Sequence, residues 1–354
     1  MSARDYRSSA SKHSESGKAG PLEQLFYRIY AELSHRKIAS HSGRKERLDA
    51  KIISVGNISL GGSGKTPLVE HLARHYAIPG IKTGIASGGY GGAAREKGAL
   101  VSDGKTVKAD LASVGDEAIM LAQSLSDVDV PVYVHRNRIA AARELIDIFR
   151  CRVVILDDAF HFMSIEKDAD ILLVNALNPP PGGMLREPSS AMARADCVII
   201  THRDLVDDKS FADTETIIRN NGYTGPVFSS EYLPSRIERT SGNVVESSEL
   251  SRFKLTPLSG IANPSGFEKS LDKLGLNLGE PIRFDDHYPY SERDAALINK
   301  ALLEDNANGV ITTGKDWVRL EKIARMLTGD IFILHSEVHI QEEFIKWLDE
   351  KIRL

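Results

Sequence analysis

The run Gly61-Gly62-Ser63-Gly64-Lys65-Thr66 restricts this chain more than any other feature, because of what flanks it. A β-rich run, Ile52-Ile53-Ser54-Val55, precedes it, and a helix pattern over 67–76 follows with Leu68, Val69, Leu72 and Ala73 on one side. Glycines let backbone N–H groups close around phosphate oxygens, and the helix N-terminus adds positive potential. Lys65 then reaches the β- and γ-phosphates, and the Thr66 hydroxyl ligates Mg²⁺. The strict pattern asks for glycine five residues before Gly64, where Ser59 stands, so the loop is a variant.

A strand–loop–helix phosphate site belongs in a parallel sheet, and the following text agrees. Thr83–Ala86, Val132–Val134, Val153–Leu156, Ile171–Val174 and Cys197–Ile200 read as strands, several apolar on both faces, with helix-length segments such as 67–77 and 137–150 between them. Strands buried on both faces need helices on both faces. The predicted fold is α/β: a P-loop NTPase-like parallel sheet flanked by helices over residues 49–230, with a second, smaller α/β domain over 231–354. In that second domain 267–274 and 294–303 read as helices.

The 354 residues, 42% of them hydrophobic, suffice for two cores. Charge is nearly balanced, 45 Lys and Arg against 49 Asp and Glu, which excludes a chain that wraps nucleic acid through overall basicity. Residues 1–51 nonetheless carry eleven basic against six acidic side chains. Residues 1–20, serine-rich and without apolar periodicity, are expected as a disordered tail. Over 21–48, Leu22, Leu25, Phe26, Ile29, Tyr30 and Leu33 form a helical stripe flanked by Arg28, Arg36, Lys37, Arg44, Lys45 and Arg47. A stripe of that kind packs on its own domain or lies in a membrane interface. No apolar run approaches the ~18–20 residues that cross a bilayer. The two cysteines, Cys151 and Cys197, build neither a disulfide framework nor a zinc site.

A P-loop site also needs an acidic residue ending a neighbouring buried strand to hold Mg²⁺, and Val153-Val154-Ile155-Leu156-Asp157-Asp158 supplies two. The residues so far imply a nucleoside triphosphate with Mg²⁺. They do not separate a kinase from an ATPase or GTPase switch or a metallochaperone acting as a binding module.

Further segments carry a resemblance. Val55 through Pro67, Ser87 through Gly91, Gly115-Asp116-Glu117, Asp157-Asp158-Ala159-Phe160, Leu185-Arg186-Glu187-Pro188, Gly260-Ile261-Ala262-Asn263-Pro264, Asp286-His287-Tyr288 and Lys315-Asp316 succeed one another in an order that resembles the tetraacyldisaccharide 4′-kinase family, over most of residues 21–320. The variant loop is normal there. The resemblance implies transfer of the ATP γ-phosphate to the 4′-hydroxyl of a tetraacyl glucosamine disaccharide 1-phosphate in lipid A biosynthesis. The place implied is the cytoplasmic face of the bacterial inner membrane, met peripherally through the N-terminal helix, with no nucleic acid or obligate protein partner.

Phosphoryl transfer to a sugar hydroxyl needs a proton acceptor and cations around the migrating charge. By resemblance Asp116 is the base, His287 its partner and Lys65 the catalytic cation. Nucleotide contacts are assigned to Gly61, Gly62, Ser63, Gly64, Lys65, Thr66, Arg136 and Arg186, the metal to Thr66, Asp157, Asp158 and Glu187, and the disaccharide to Asn57. The cofactors implied are ATP and Mg²⁺. The chain departs from the family where Gly88 stands for arginine, Ala159 for glycine, His161-Phe162 for Gln-His, Gly182 for alanine, Met184 for proline and Gly314 for glutamate. Those departures touch the cleft but leave Lys65, Thr66, Asp116, Asp157, Asp158 and His287 intact.

Overall fold

A computed structural model describes residues 45–59, 62–182 and 185–354. The expected tail over 1–20, the basic helix region except for residues 45–48, and Gly61 and Met184 lie outside the described residues.

The chain divides into two compact units. Among the described residues, one is built by residues 45–232 together with Val338–Leu354, the other by Leu233–Glu337. The first holds β1 (Lys51–Asn57), α1 (Lys65–Tyr76), β2 (Thr83–Ser87), β3 (Ala99–Ser102), α2 (Asp116–Ser124), β4 (Val132–Val134) and α3 (Arg138–Phe149). β5 (Val153–Asp157), β6 (Ala169–Asn175), β7 (Cys197–Thr201), α4 (Asp208–Asn220) and the start of β8 (Val227–Arg239) follow. Its strands run in the order β8-β7-β6-β1-β5-β2-β4-β3, all parallel except β3 at the edge, which is antiparallel to β4.

The expected parallel α/β sheet is therefore present. Ile52, Val154, Leu156 and Ala86 bury against Ala141, Ala142 and Leu145 of α3. Leu172, Val174, Val198 and Ile200 bury with Ile58, Met192 and Ile218. Each such large apolar side chain contributes roughly 1.5–3 kcal/mol on leaving water, so the apolar strand runs dictate the layers. α3 starts where the Asn137 side chain accepts the Ile139 N–H at 2.9 Å and stops at Arg150 in a left-handed conformation.

β1 lies between β5 and β6, with Val55 opposite Asp157. The phosphate loop and the paired aspartates thus leave adjacent strands at the carboxyl edge, where open α/β sheets bind ligands. Gly56 permits this closeness: a Cβ there would fall 2.6 Å from the Phe160 nitrogen.

The second unit contains the rest of β8, then β9 (Val244–Val245), β10 (Lys254–Ser259), α5 (Pro264–Lys273), β11 (Asn277–Leu278), β12 (Ile282–Arg283) and α6 (Glu292–Glu304). β13 (Gly309–Thr313), α7 (Gly314–Leu320) and most of β14 (Asp330–Ile340) complete it. β10 pairs in parallel with β11, β12 and β13, and β13 with β14.

Residues 338–354 correct the expected boundary. α8 (Glu342–Ile352) belongs to the first unit, where Phe344, Leu348 and Ile352 are fully buried. Phe228 meets Phe344 at 5.4 Å between ring centroids, Tyr76 donates to Asp349 at 2.8 Å, and Lys351 reaches Asp196 at 2.7 Å. β8 also runs straight through Pro234, which reads from sequence as the end of a strand because it lacks an N–H. Phe344→Ala is expected to destabilise the protein by about 3–5 kcal/mol, seen as a lower urea midpoint; an unchanged midpoint would place α8 outside the cooperative unit.

Candidate functional site

At the end of β1 the Asn57 side chain is 1% exposed and accepts a hydrogen bond from Lys65 Nζ at 3.2 Å. Lys65 also donates to Ser63 Oγ at 3.5 Å and lies 3.6 Å from Asp158 Oδ1. The loop is braced from both sides. Asn175 Nδ2 donates to the Gly62 carbonyl at 2.8 Å, and the Tyr232 hydroxyl to the Gly64 carbonyl at 2.9 Å. Gly64 has φ +77°, and a Cβ there would run into the Tyr232 hydroxyl. Both space and backbone demand glycine.

The end of β5 faces this lysine. Asp157 is buried and accepts from Ser87 Oγ at 2.9 Å. Burial, then the neighbouring Glu117 and Asp158, pushes its carboxyl up to about 6 against the pull of Arg138 and Lys65. Burial acts on Asp158 as well, yet Lys65 and Arg186 outweigh it and hold that carboxyl below the ordinary range. Arg186 donates to Asp158 Oδ2 at 2.5 Å. Ser87, Gly88, Glu117, Arg138, Asp157 and Asp158 line one cleft.

Asp158 Oδ1 is buried without a hydrogen-bond partner in the structure. An orphaned carboxylate oxygen beside a phosphate loop fits Mg²⁺, which takes one or two protein carboxylates and fills the rest of its shell with phosphate and water. Among the described residues no three His, Cys, Asp or Glu side chains form a ready-made ion cage. A metal here would share its coordination with nucleotide.

Other expected residues fall elsewhere. Arg136 is at the surface, its side chain 65% exposed and paired with Glu96 at 3.1 Å. The buried arginine of the cleft is Arg138, two residues on, whose Nε donates to the Asp157 carbonyl at 2.9 Å. Glu187 is fully buried and both its oxygens accept from Arg194 at 2.7 Å, so its carboxylate is committed to an arginine instead of facing a metal with Asp157 and Asp158. Arg194 also donates to the Phe160 carbonyl at 3.1 Å, which ties the segment carrying Arg186 to the one following Asp158. Asn57 holds Lys65 through Oδ1 and donates from Nδ2 to Ser59 Oγ at 3.4 Å, so in this structure it positions the loop lysine.

Asp116 opens α2, buried, with Oδ1 accepting the Glu117 N–H at 3.0 Å. His287 belongs to the second unit, where its Nε2 lies 3.2 Å from Lys315 Nζ. The departure at position 88 has a local explanation. A Cβ on Gly88 would collide with the Arg138 guanidinium. Burial pushes the His161 imidazole down to about 4 despite Asp158, so it is neutral at ordinary pH. Gly314 has open space around it, and nothing in the structure explains its departure.

Arg138 and Glu117 were missed from sequence. The signal for Arg138 lay in the helix pattern: Asn137 is a natural N-cap, which sets Arg138 in the first helical turn beyond β4, at the sheet's carboxyl edge.

Residues 20–353 match the family model described as tetraacyldisaccharide-1-P 4′-kinase. A tetraacyldisaccharide 4′-kinase from Desulfatibacillum aliphaticivorans is 34% identical over 321 residues, 84% of this chain and 82% of that one. The protein of the same name from Chlorobaculum parvum is 36% identical over 282 residues, 76% and 74% of the two chains. Among solved structures, LpxK from Aquifex aeolicus in complex with ATP superposes with a TM-score of 0.69 at 25% identity, covering 93% of this chain and 96% of its own.

The raised Asp157 pKa has a definite sign. A carboxyl with a higher pKa folded than unfolded binds more protons in the native state, so its burdened charge costs nothing below the unfolded value of 3.8 and most above the folded value of about 6. In nucleotide-free and metal-free protein, Asp157→Asn is therefore expected to be more stable than wild type at pH 8, by on the order of 3 kcal/mol. The two should converge near pH 4. Urea unfolding at both pH values checks this, and a pH-independent difference would contradict it.

Proposed function

The chain belongs to the tetraacyldisaccharide-1-P 4′-kinase family, and on that premise we infer how its residues carry out the reaction of an ATP-dependent lipid kinase. The enzyme transfers the ATP γ-phosphate to the 4′-hydroxyl of tetraacyldisaccharide 1-phosphate in lipid A biosynthesis. Family membership does not favour the alternative of a P-loop switch or metallochaperone.

The observation that carries the reading is the Lys65 ammonium, 3.2 Å from Asn57 Oδ1 and 3.6 Å from Asp158 Oδ1, at the mouth of a glycine loop. The loop N–H groups and Lys65 bind the β- and γ-phosphates, and Arg186 supplies a second cation for the negative charge that spreads over the migrating phosphoryl group. Asp157 and Asp158, with the Thr66 hydroxyl, would hold Mg²⁺, whose contribution is to neutralise phosphate charge. Arg138, whose Nε donates to the Asp157 carbonyl, adds positive charge beside the two carboxylates.

Asp116 accepts the proton of the 4′-hydroxyl as the oxygen attacks phosphorus, and His287 assists that carboxylate. The assignment is supported by the resemblance of Gly115-Asp116-Glu117 and Asp286-His287-Tyr288 to the family's motifs, and by the burial of Asp116 at a helix start, where departing water favours a defined hydrogen-bond geometry.

The apolar stripe over 21–48, with its basic flank, engages an anionic membrane surface, which brings the enzyme to an acylated substrate. The cytoplasmic face of the inner membrane is the place this implies. No helix of the described residues is long and apolar enough to cross a membrane.

With labelled Mg-ATP, purified protein is expected to label tetraacyldisaccharide 1-phosphate in detergent and to consume little ATP without it. Rapid acceptor-independent hydrolysis with no labelled lipid would instead identify a switch. Asp116→Asn should slow transfer by about 10²–10⁴-fold, and wild-type turnover would remove Asp116 as the base. Deletion of residues 1–45 should weaken sedimentation with vesicles rich in anionic lipid; equal binding by both forms would exclude the membrane role.

A further inference from the structure

In the second unit, three segments that leave the carboxyl ends of parallel strands converge on one imidazole. β10 ends at Ser259 and leads into Gly260, β12 leads into Asp286-His287, and β13 leads into α7 with Lys315 in its first turn. His287 has φ +59°, a conformation uncommon for a residue with a Cβ, and its N–H donates to the Gly260 carbonyl at 3.2 Å. Backbone strain of this sort persists only where the surroundings over-determine it, and it gathers at working sites.

The surroundings here are unusually well fixed. Asp316, fully buried, accepts from the Gly260 N–H at 3.0 Å, the Tyr290 hydroxyl at 3.0 Å and Arg319 Nη2 at 2.6 Å. Arg319 Nη2 also donates to the same Gly260 carbonyl at 2.9 Å. The Thr313 side chain accepts the Asp316 N–H at 3.1 Å and caps α7. One buried carboxylate thus joins the carbonyl that holds His287 to the helix that holds Lys315.

Lys315 Nζ lies 3.2 Å from His287 Nε2 and 3.4 Å from Asp286 Oδ1. An ammonium has three donors and no acceptor. At 3.2 Å it is therefore a hydrogen-bond donor, and Nε2 must offer a lone pair. An imidazolium would set an N–H against an ammonium, and the neutral form protonated at Nε2 would do the same.

We propose that Lys315 is a positioning residue which fixes His287 as the neutral imidazole carrying its proton on Nδ1. This deepens the reading of His287 as part of the transfer machinery and rests on it. The consequence is that Nδ1–H is the ring's donor, so His287 orients a partner by giving a hydrogen bond and not by lending a positive charge. A neutral donor of that kind steers a carboxylate while leaving it basic enough to take a proton. Asp286 accompanies the pair: its Oδ1 holds the lysine at 3.4 Å, while its Oδ2 stands 3.9 Å from Nε2, beyond hydrogen-bond reach.

Long-range ¹H–¹⁵N correlation spectra of full-length protein with ¹⁵N-labelled histidine test this, with the His287 signals identified by their loss in His287→Gln. Wild type should show a protonated Nδ1 and an unprotonated Nε2. Lys315→Met should shift the ring toward the Nε2-protonated form and lower kcat by about tenfold, well short of the ~10²–10⁴-fold carried by an acid–base group itself, with KM for ATP within about twofold. Lys315→Arg keeps a cationic donor and should retain the tautomer, which separates loss of the contact from misfolding. A wild-type ring protonated at Nε2, or an unchanged tautomer in folded Lys315→Met, overturns the proposal. An unaltered kcat in His287→Ala would overturn the catalytic reading of His287 while leaving the tautomer result standing.

Discussion

The first unit depends on a balance of charge at the carboxyl edge of two adjacent strands. β5 delivers two consecutive aspartates into a poorly solvated place, and burial alone would drive both toward protonation. Lys65 from the loop after β1 and Arg186 from the segment after β6 rescue one of them, leaving the other raised. The asymmetry has chemical use: one carboxylate is firmly ionised, and its neighbour's charge is unfavourable until a cation arrives. A divalent ion bound with nucleotide would relieve that unfavourable charge.

That balance requires the elements to approach closely. Gly56 lets the Phe160 backbone cross β1, and Gly64 lets the Tyr232 hydroxyl reach the loop carbonyl. Glu187, fully buried, forms a bidentate pair with the half-buried Arg194, which stacks 3.9 Å from the centre of the Phe160 ring. Breaking one partner of such a pair strands a charge in the interior. The pair therefore anchors the segment that presents Arg186, and the motif Arg186-Glu187 divides into one residue that faces the cleft and one that fixes it.

How much of this was legible depended on how local each signal was. The parallel sheet could be read because each buried strand is apolar on both faces, and the phosphate loop because its glycines, lysine and threonine are contiguous. Arg136 and Arg138 were confused because two arginines a residue apart cannot be ranked without knowing that Asn137 starts a helix and turns only the second one inward. Glu187 looked like a metal ligand because an acidic residue beside a functional arginine reveals nothing about Arg194, seven positions on, which takes both its oxygens. Tyr232 gave no signal at all, since its partner is a backbone carbonyl 168 residues away. In the second unit the motif residues were visible as a list, but the role of Asp316 as the hub linking Gly260, Tyr290 and Arg319 arises only from the way the strand ends converge.

The return of α8 to the first unit has an effect on biosynthesis. The nucleotide-binding sheet is discontinuous in the polypeptide, with Leu233–Glu337 inserted between its last strand and its closing helix. A ribosome must translate the whole insert before Phe344 and Trp347 emerge to cover Phe228. Until then Phe228 lacks the aromatic partners that half-bury it in the finished enzyme. The insert is thus a built-in delay, and the maturation of the kinase waits on the arrival of α8 and not on the phosphate loop.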